Sequence, residues 1–517
     1  MKNLVLLSII ISFFFLSGCC QSGLMMPSRT LRLTMENSPR SLDPALSTDT
    51  FSGIVIGLSY STLLRFNAKG ELTLDAAKFY SIKAEGRVYE FLLKENLKFS
   101  DGSSLTAEDV SYSLHRLASP KTNSPRANLL EQLQGFEDYR EGKADSISGI
   151  QVESSNKIRF VLKRPFSPFL SFFAMPQFAV LSKKYIEDGG DLQESTLGSG
   201  PYSLEKFRRE QDLFLRANPH YRKRGNLEAI YIRILKEPLT RFAEFKNQNL
   251  HIIELAPAQQ EMIHNTRSRL YSVNEYNLYY LGLNMKSERM QSLPLRKAIA
   301  QSIDRQTIVE KILKGQAVLA TGPVPEGLPG YLKEPLFKYD AQKARETLAQ
   351  SNYDSKPLRL LLSNSTQSVQ LCTLFKNQME KAGIKVELVI RDWNSFKVEL
   401  LEGKYDLFYR NWVADFPDGD NFLFPLYHSS STGLQGNYPG YSNSTFDALI
   451  ENSRRISDPA KRKEMLENAA KIATQDFSRV PLWYKSKVFA VFPGVQNFEP
   501  YPMFYANKYL KVNLLTR

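Results

Sequence analysis

Apolar and polar positions follow two different rhythms along the chain, and the rhythm changes between its halves. In the first half the apolar runs are short. Leu31 to Met35 alternates with period two, and Val88 to Leu93 reads as a second strand. Tyr202 to Phe207 and Leu213 to Arg216 read as paired strands, and Ile230 to Leu235 as another. Lys98-Phe99-Ser100-Asp101-Gly102 is a turn, and Gly198-Ser199-Gly200-Pro201 is a loop. Thr106 stands three residues before Asp109, the spacing of a capping box. Val110, Leu114 and Leu117 follow it at helical spacing.

The second half alternates helix with strand. Pro294 opens a helix that carries Leu295, Ala298, Ile299 and Ile303 on one face. Asp340 caps a helix through Leu348. Leu358 to Leu362 is predicted as a strand, Gln367 to Ala382 as a helix stopped by Gly383, and Ile384 to Ile390 as the next strand. Trp393, Phe396 and Leu400 share a helical face, and Tyr405 to Arg410 is the following strand. Phe446, Leu449 and Ile450 mark another helix, and Asp458-Pro459 caps the last long one. This order predicts a parallel α/β unit. There is no internal repeat.

The N-terminus has a pattern of its own. Lys2 precedes an almost wholly apolar run from Leu4 to Phe15. That is too short to cross a bilayer and suits the core of a signal peptide. Leu16-Ser17-Gly18-Cys19 closes the run and resembles a bacterial lipobox, in which the Cys thiol is diacylated and the chain is cut just before it. The expectation is a signal peptide over 1–18, lipidation at Cys19, a lipidated tether over 19–28 and attachment to a membrane through the lipid. Two or more acyl chains make such attachment stable. No later stretch is long and apolar enough to span.

Composition narrows the function. Of three cysteines only Cys372 lies in the body, so no internal disulfide is expected there and packing must hold the fold. The net charge is +13, from 67 Lys+Arg against 54 Asp+Glu. The basic runs are short, Arg222-Lys223-Arg224 and Lys461-Arg462-Lys463, and read as solvated faces; no nucleic-acid partner is expected of an exported protein. His115, His220, His251, His264 and His428 have no ligand-like spacing, so no metal is expected. There is no Gly-x-Ser-x-Gly and no His-Glu-x-x-His, and Cys372 lies on a predicted helix with no visible His partner. The chain reads as a binding protein without cofactor, not an enzyme. Its 25 Tyr, 32 Phe and 3 Trp supply core, and some of the Tyr and Trp suit a concave binding surface.

Short motifs then line up in order. Ser41-Leu42-Asp43-Pro44 follows the first strand. Lys94-Glu95-Asn96-Leu97-Lys98-Phe99-Ser100-Asp101-Gly102 precedes Leu105-Thr106-Ala107-Glu108-Asp109-Val110. Gly200-Pro201-Tyr202, Asn218-Pro219-His220-Tyr221, Tyr280-Leu281-Gly282-Leu283-Asn284, Leu295-Arg296-Lys297-Ala298-Ile299 and Ile303-Asp304-Arg305 come next. Trp412-Val413-Ala414-Asp415-Phe416-Pro417-Asp418 precedes Asn421-Phe422. Together they resemble the large oligopeptide- and dipeptide-binding lipoproteins of ABC importers, the family 5 extracellular solute-binding proteins. The resemblance implies a two-lobed α/β periplasmic-binding-protein fold with hinge closure and an extra domain inserted in the first lobe. Lobe I would comprise 29–60, 181–270 and 488–517, the inserted domain 61–180, and lobe II 271–487.

The resemblance also implies a site. A receptor for peptides of many sequences can pair with their backbone and hold the free ammonium with a carboxylate. Asp415 matches that carboxylate, at the end of the predicted strand Tyr405 to Arg410 or in the loop after it, with Asp418 and Asp420 near enough to be confused with it. Tyr112 matches a cleft position from the inserted domain, and Trp393 and Trp412 match the wall in lobe II. Relatives carry Glu where this chain has Gly282, and basic groups where it has Leu400 or Leu401 and Tyr409; Arg410 is expected to replace one of these, one position along. Their lobe II disulfide is absent, its positions falling near Asn277 and at Val413. The expected partners are a short peptide and the permease subunits of an ABC transporter, the protein being monomeric and facing the periplasm, or the outer face of the cytoplasmic membrane where there is no outer one. Murein peptides as cargo, or a surface lipoprotein with an adhesin or chaperone role, are the alternatives.

Overall fold

The computed structural model describes residues 26–515, apart from 194, 264–265 and 434–435. The expected signal peptide over 1–18 and lipidation at Cys19 therefore lie outside the described residues, as does His264. No helix among those described is long and apolar enough to cross a membrane.

Among the described residues three larger sheets, beside two two-stranded ones, carry most of the chain. The first pairs Thr30–Met35 in parallel with Ala229–Ile234, followed by antiparallel Asp212–Ala217 and Tyr202–Arg208. The second is antiparallel, in the order Ala77–Lys83, Val88–Leu93, Lys157–Val161, Ile150–Ser154. Phe91, Phe160, Phe169 and Phe173 pack edge-on and tilted in its core, with ring centres 4.6 to 6.4 Å apart. Helix Ala107–Ala118 packs beside this sheet, and Thr106 and Asp109 close the predicted capping box.

The third sheet is larger and runs Ile252–Glu254, Arg479–Val491, Asn277–Leu283, Leu407–Val413, Leu358–Ser363, Val386–Arg391. Its last strands form the expected parallel unit, with helix Thr366–Lys381 between Leu358–Ser363 and Val386–Arg391. The predicted strand at Ile384 begins two residues later. Gly383 takes φ +92°, and Ile384 donates back to the Met379 carbonyl at 2.9 Å, so Ile384 belongs to the helix stop and is buried there. The predicted strand Tyr405 to Arg410 is likewise displaced, to Leu407–Val413. Gly403 at φ +70° ends the preceding helix, and Tyr405 and Asp406 complete the turn.

Arg479–Val491 joins the halves. Its first residues pair with Asn277–Leu283 and its last with Arg269–Asn274 and Ile252–Glu254. The boundaries 270/271 and 487/488 thus both fall inside strands. Between Asn274 and Asn277 the ladder is interrupted, and side chains take over. The Asn277 amide donates to the Lys485 carbonyl (3.0 Å) and accepts from its N–H (2.7 Å), and Lys487 pairs with Glu275 at 2.7 Å.

The C-terminal segment is pinned under the inserted sheet by buried charge. Asp75, with no exposed surface, accepts from Arg222 and from the Thr62 N–H (3.1 Å) and lies 3.7 Å from Lys508. Burial lowers the Lys508 ammonium to about 8, while Lys508 and Arg222 hold the Asp75 carboxyl below its ordinary range despite its burial. Removing one member of a buried charge cluster costs about 3–5 kcal/mol. Asp75→Asn is expected to lower unfolding free energy by about that much in urea titrations, without change in the m-value.

Candidate functional site

Leu407–Val413 is paired along its whole length on one edge and only at its start on the other. Asn277–Leu283 covers the first edge, from Asn277 opposite Val413 to Leu283 opposite Leu407. On the second edge Leu358–Ser363 meets only Leu407 and Phe408. Beyond Phe408 no strand lies beside that edge among the described residues, and the strand passes from buried to half-exposed at Arg410. An edge of this kind offers main-chain donors and acceptors to any extended segment laid along it. Asn277 and Val413 are partners in register, and the Asn277 side chain bonds Lys485 at the interlobe junction.

Two residues after this strand, Asp415 sits where three parts of the chain meet. Its N–H donates to Asn421 Oδ1 (2.8 Å), and its carbonyl accepts from the Tyr505 hydroxyl (2.8 Å). Its carboxylate faces Arg126, which reaches over from beside the inserted sheet and donates from Nη1 at 3.2 Å and Nη2 at 3.4 Å. Arg126 is itself placed by Ser124, whose Oγ accepts the Arg126 N–H at 3.0 Å and donates to the Ala45 carbonyl at 2.5 Å.

The neighbouring acids are committed elsewhere. Asp418 takes two bonds from Arg462, at 2.7 and 2.9 Å, and Asp420 two from Arg454, at 2.7 and 3.0 Å. Both pairs lie within one lobe, and the Asp420 side chain is 3% exposed. Asp415 is 24% exposed, and its pair is the longest of the three. Of the three acids, only Asp415 has its arginine from a distant part of the chain, beside the inserted sheet.

The aromatic positions separate. Trp412 lies on the half-open strand, half-buried, with its indole N–H lacking a hydrogen-bond partner among the described residues. Trp393 is 43% exposed at the start of helix Trp393–Glu402 and stacks on Phe396 at 5.5 Å. Arg410 projects from the same strand face as Trp412, its guanidinium 5.6 Å from the Trp393 ring and 4.8 Å from Tyr438, with one buried nitrogen unpartnered. Tyr112 is half-buried on helix Ala107–Ala118, within the field of Arg116, Glu187 and Tyr139, and burial raises its hydroxyl. Among the described residues no hydrogen bond or ring contact joins Tyr112 to Asp415, Trp393 or Trp412.

Arg410 and Tyr409 are adjacent on the strand and face opposite ways. Tyr409 points to the other side, fully buried against Phe375, Tyr279 and Trp483 with ring centres 5.8 to 6.3 Å away, and burial pushes its hydroxyl well up. Gly282 is explained by its partner: a Cβ there would lie 2.2 Å from the Phe408 ring. Cys372 is buried on its helix and its thiol is raised by burial. Sequence reasoning missed Arg126, Asn421 and Tyr505, whose contacts with Asp415 carry no local signal for the first and last.

Arg454→Ala should destabilise the protein by about 3–5 kcal/mol, because Asp420 would be left buried and unpaired. Arg126→Ala should cost about 1 kcal/mol or less, since its pair is partly solvated. Denaturant midpoints of the two variants check the difference, and equal losses would contradict it.

Known proteins resemble this chain over nearly its whole length. Residues 71–434 match the model for bacterial extracellular solute-binding proteins, family 5. A protein of Escherichia coli named as a probable D,D-dipeptide-binding periplasmic protein is 28% identical, over 92% of this chain and 93% of its own. The oligopeptide-binding protein of Bacillus subtilis is 25% identical, over 88% and 87%. The structure of a periplasmic oligopeptide-binding protein of Borrelia burgdorferi superposes with a TM-score of 0.81 at 25% identity, over 94% of this chain and all of that one. The murein tripeptide binding protein of Escherichia coli superposes equally well at 22% identity and shares the two-lobed fold. The ordered motifs, the two-lobed architecture and the matched span agree: the chain belongs to the family 5 bacterial extracellular solute-binding proteins.

Proposed function

We propose that this protein captures short peptides with a free amino terminus and presents them to the permease of an ATP-driven importer. It would do so as a monomer tethered by lipid at Cys19. The carrying observation is that Asp415, alone of the three neighbouring aspartates, faces across the lobes at the end of a half-open strand edge. A carboxylate so placed suits an ammonium, and the edge suits a peptide backbone.

The two features together fix a direction. Asp415 follows the C-terminal end of Leu407–Val413, so a peptide held there by its ammonium and lying along Tyr409–Val413 runs antiparallel to that strand. Its main-chain groups would meet the free edge. The unpartnered donors of Trp412 and Arg410 would gain ligand carbonyls or water, which removes the penalty of burying them unmade. Trp412 and Trp393 would wall the side-chain space, with Tyr112 facing it from the inserted domain. Relatives named for dipeptides and oligopeptides, all binding proteins and not enzymes, support the substrate class.

Calorimetry with tri- to pentapeptides tests this. Asp415→Asn is expected to weaken binding at least tenfold, and N-acetylated peptides to bind wild type as weakly. Unchanged affinity in the variant, or equal affinity for acetylated and free peptides, would overturn the ammonium role.

A further inference from the structure

Asp415 lies in the connection 414–419, between strand Leu407–Val413 and helix Asp420–Tyr427, and belongs to neither element. A carboxylate on a loop is placed only as well as the loop that carries it. This loop is held firmly, and two of its holds come from outside lobe II.

The residue after Asp415 is the first of them. Phe416 is 4% exposed and lies in the apolar core of the inserted sheet. Its ring meets Phe172 edge-on at 5.3 Å, and Phe172 carries the contact on to Phe166, Phe169 and Phe178. Among the described residues Phe416 is the one buried member of that core contributed by the chain between 271 and 487. The second hold is Tyr505, buried in the same core, whose hydroxyl donates to the Asp415 carbonyl at 2.8 Å. The Tyr505 backbone is fixed from behind. A Cβ at Gly57 would lie 2.2 Å from the Tyr505 carbonyl oxygen, so helix Thr50–Ser59 packs directly on it. Further along, Lys508 donates to the Tyr60 carbonyl at 2.9 Å.

Lobe II supplies the holds before this point. The Tyr276 carbonyl accepts from the Ala414 N–H and Asn421 Oδ1 from the Asp415 N–H, each at 2.8 Å. Those bonds fix how the chain enters Asp415. How it leaves is set by the Tyr505 hydroxyl at the Asp415 carbonyl and by the Phe416 ring beyond it.

We propose that the inserted domain is the seat of the amino-terminus reader, with Phe416 and Tyr505 as its positioning residues. Both act through Asp415. Phe416 seats the loop in the inserted core, Tyr505 orients the Asp415–Phe416 peptide, and together they hold the carboxylate at one place beyond the half-open strand edge. Unseated, the carboxylate would follow a loose loop and lose the fixed geometry on which its preference for an ammonium depends. The rest of a peptide, laid along Tyr409–Val413, would bind as before. The inference rests on the ammonium role of Asp415, and it gives the inserted domain a part in recognition besides walling the cleft.

The ratio of affinities for a free and an N-acetylated peptide isolates this part, because a general loss of structure weakens both alike. Calorimetry on the mature protein would use Ala-Ala-Ala and N-acetyl-Ala-Ala-Ala. Wild type is expected to prefer the free peptide about tenfold or more. In Phe416→Ala the ratio should fall to near one, with the acetylated peptide bound as in wild type, and Phe416→Leu should keep most of it. Tyr505→Phe should lower the ratio about threefold or more, the effect of one lost hydrogen bond. Phe91→Leu, elsewhere in the same core, should lower the melting temperature and leave the ratio alone. An unchanged ratio in Phe416→Ala or Tyr505→Phe, equal weakening of both peptides, or a ratio that falls in Phe91→Leu as well would overturn the inference. Where Phe416→Ala does not fold, Tyr505→Phe carries the test. If wild type discriminates and the variants do so equally, only this inference falls. If wild type does not discriminate, the ammonium role proposed above falls with it.

Discussion

One strand, Arg479–Val491, is hydrogen-bonded to both lobes, and everything that happens at the site depends on that continuity. Its partner on the lobe II side, Asn277–Leu283, also carries the half-open strand Leu407–Val413. Trp412 lies on that strand and Asp415 just past its end, where the next residue, Phe416, packs into the core of the inserted sheet against Phe172. Where the ladder lapses between Asn274 and Asn277, side-chain bonds to Lys485 and the Glu275–Lys487 pair replace backbone bonds. Lys487 is held protonated by Glu254 and Glu275, which keeps the crossing charged and ordered.

Three aspartates within six residues show how environment assigns roles to one side chain. Asp418 and Asp420 are paired in short bidentate geometry with arginines of the C-terminal helices, Arg462 and Arg454, and they stitch the loop to lobe II. A buried carboxylate without its partner is expensive, so these two cannot be lent to a ligand. Asp415 is oriented through its backbone, by Asn421 and Tyr505, which leaves the carboxylate to be contested between the lobes. The rigidity of the two locked acids is what makes the third one precise.

Much of lobe II was legible because its elements carry local punctuation. Asp340, Gly383 and Asp458 mark helix ends whatever the tertiary context, and period-two or helical spacing fills what lies between. The displaced starts at Ile384 and Tyr405 are turn residues with strand-like side chains, so pattern alone overran the turn. Arg479–Val491 escaped because it is buried on both faces for most of its length and includes Pro481, so it neither alternates nor avoids a strand breaker. Of the inserted sheet only Val88–Leu93 was legible; the others hid behind mixed strands such as Ala77–Lys83, which exposes Phe79. Asp415 was legible only through resemblance, and Arg126 not at all. Their contact spans 289 residues, and nothing in Ser124-Pro125-Arg126 announces a partner.

Gly282 and Tyr409 lie on opposite faces of the sheet, and neither position carries a charge. Each place is taken by aromatic packing: the Phe408 ring over Gly282, and Tyr409 against Phe375 and Trp483. Packed apolar groups in place of buried charges are neutral or favourable for stability. The charged groups left on and just beyond this strand are Arg410, between Trp393 and Tyr438, and Asp415, paired with Arg126. Arg410 is set against rings on both sides and Asp415 against a partly solvated guanidinium, so each keeps its charge without being locked into a buried pair.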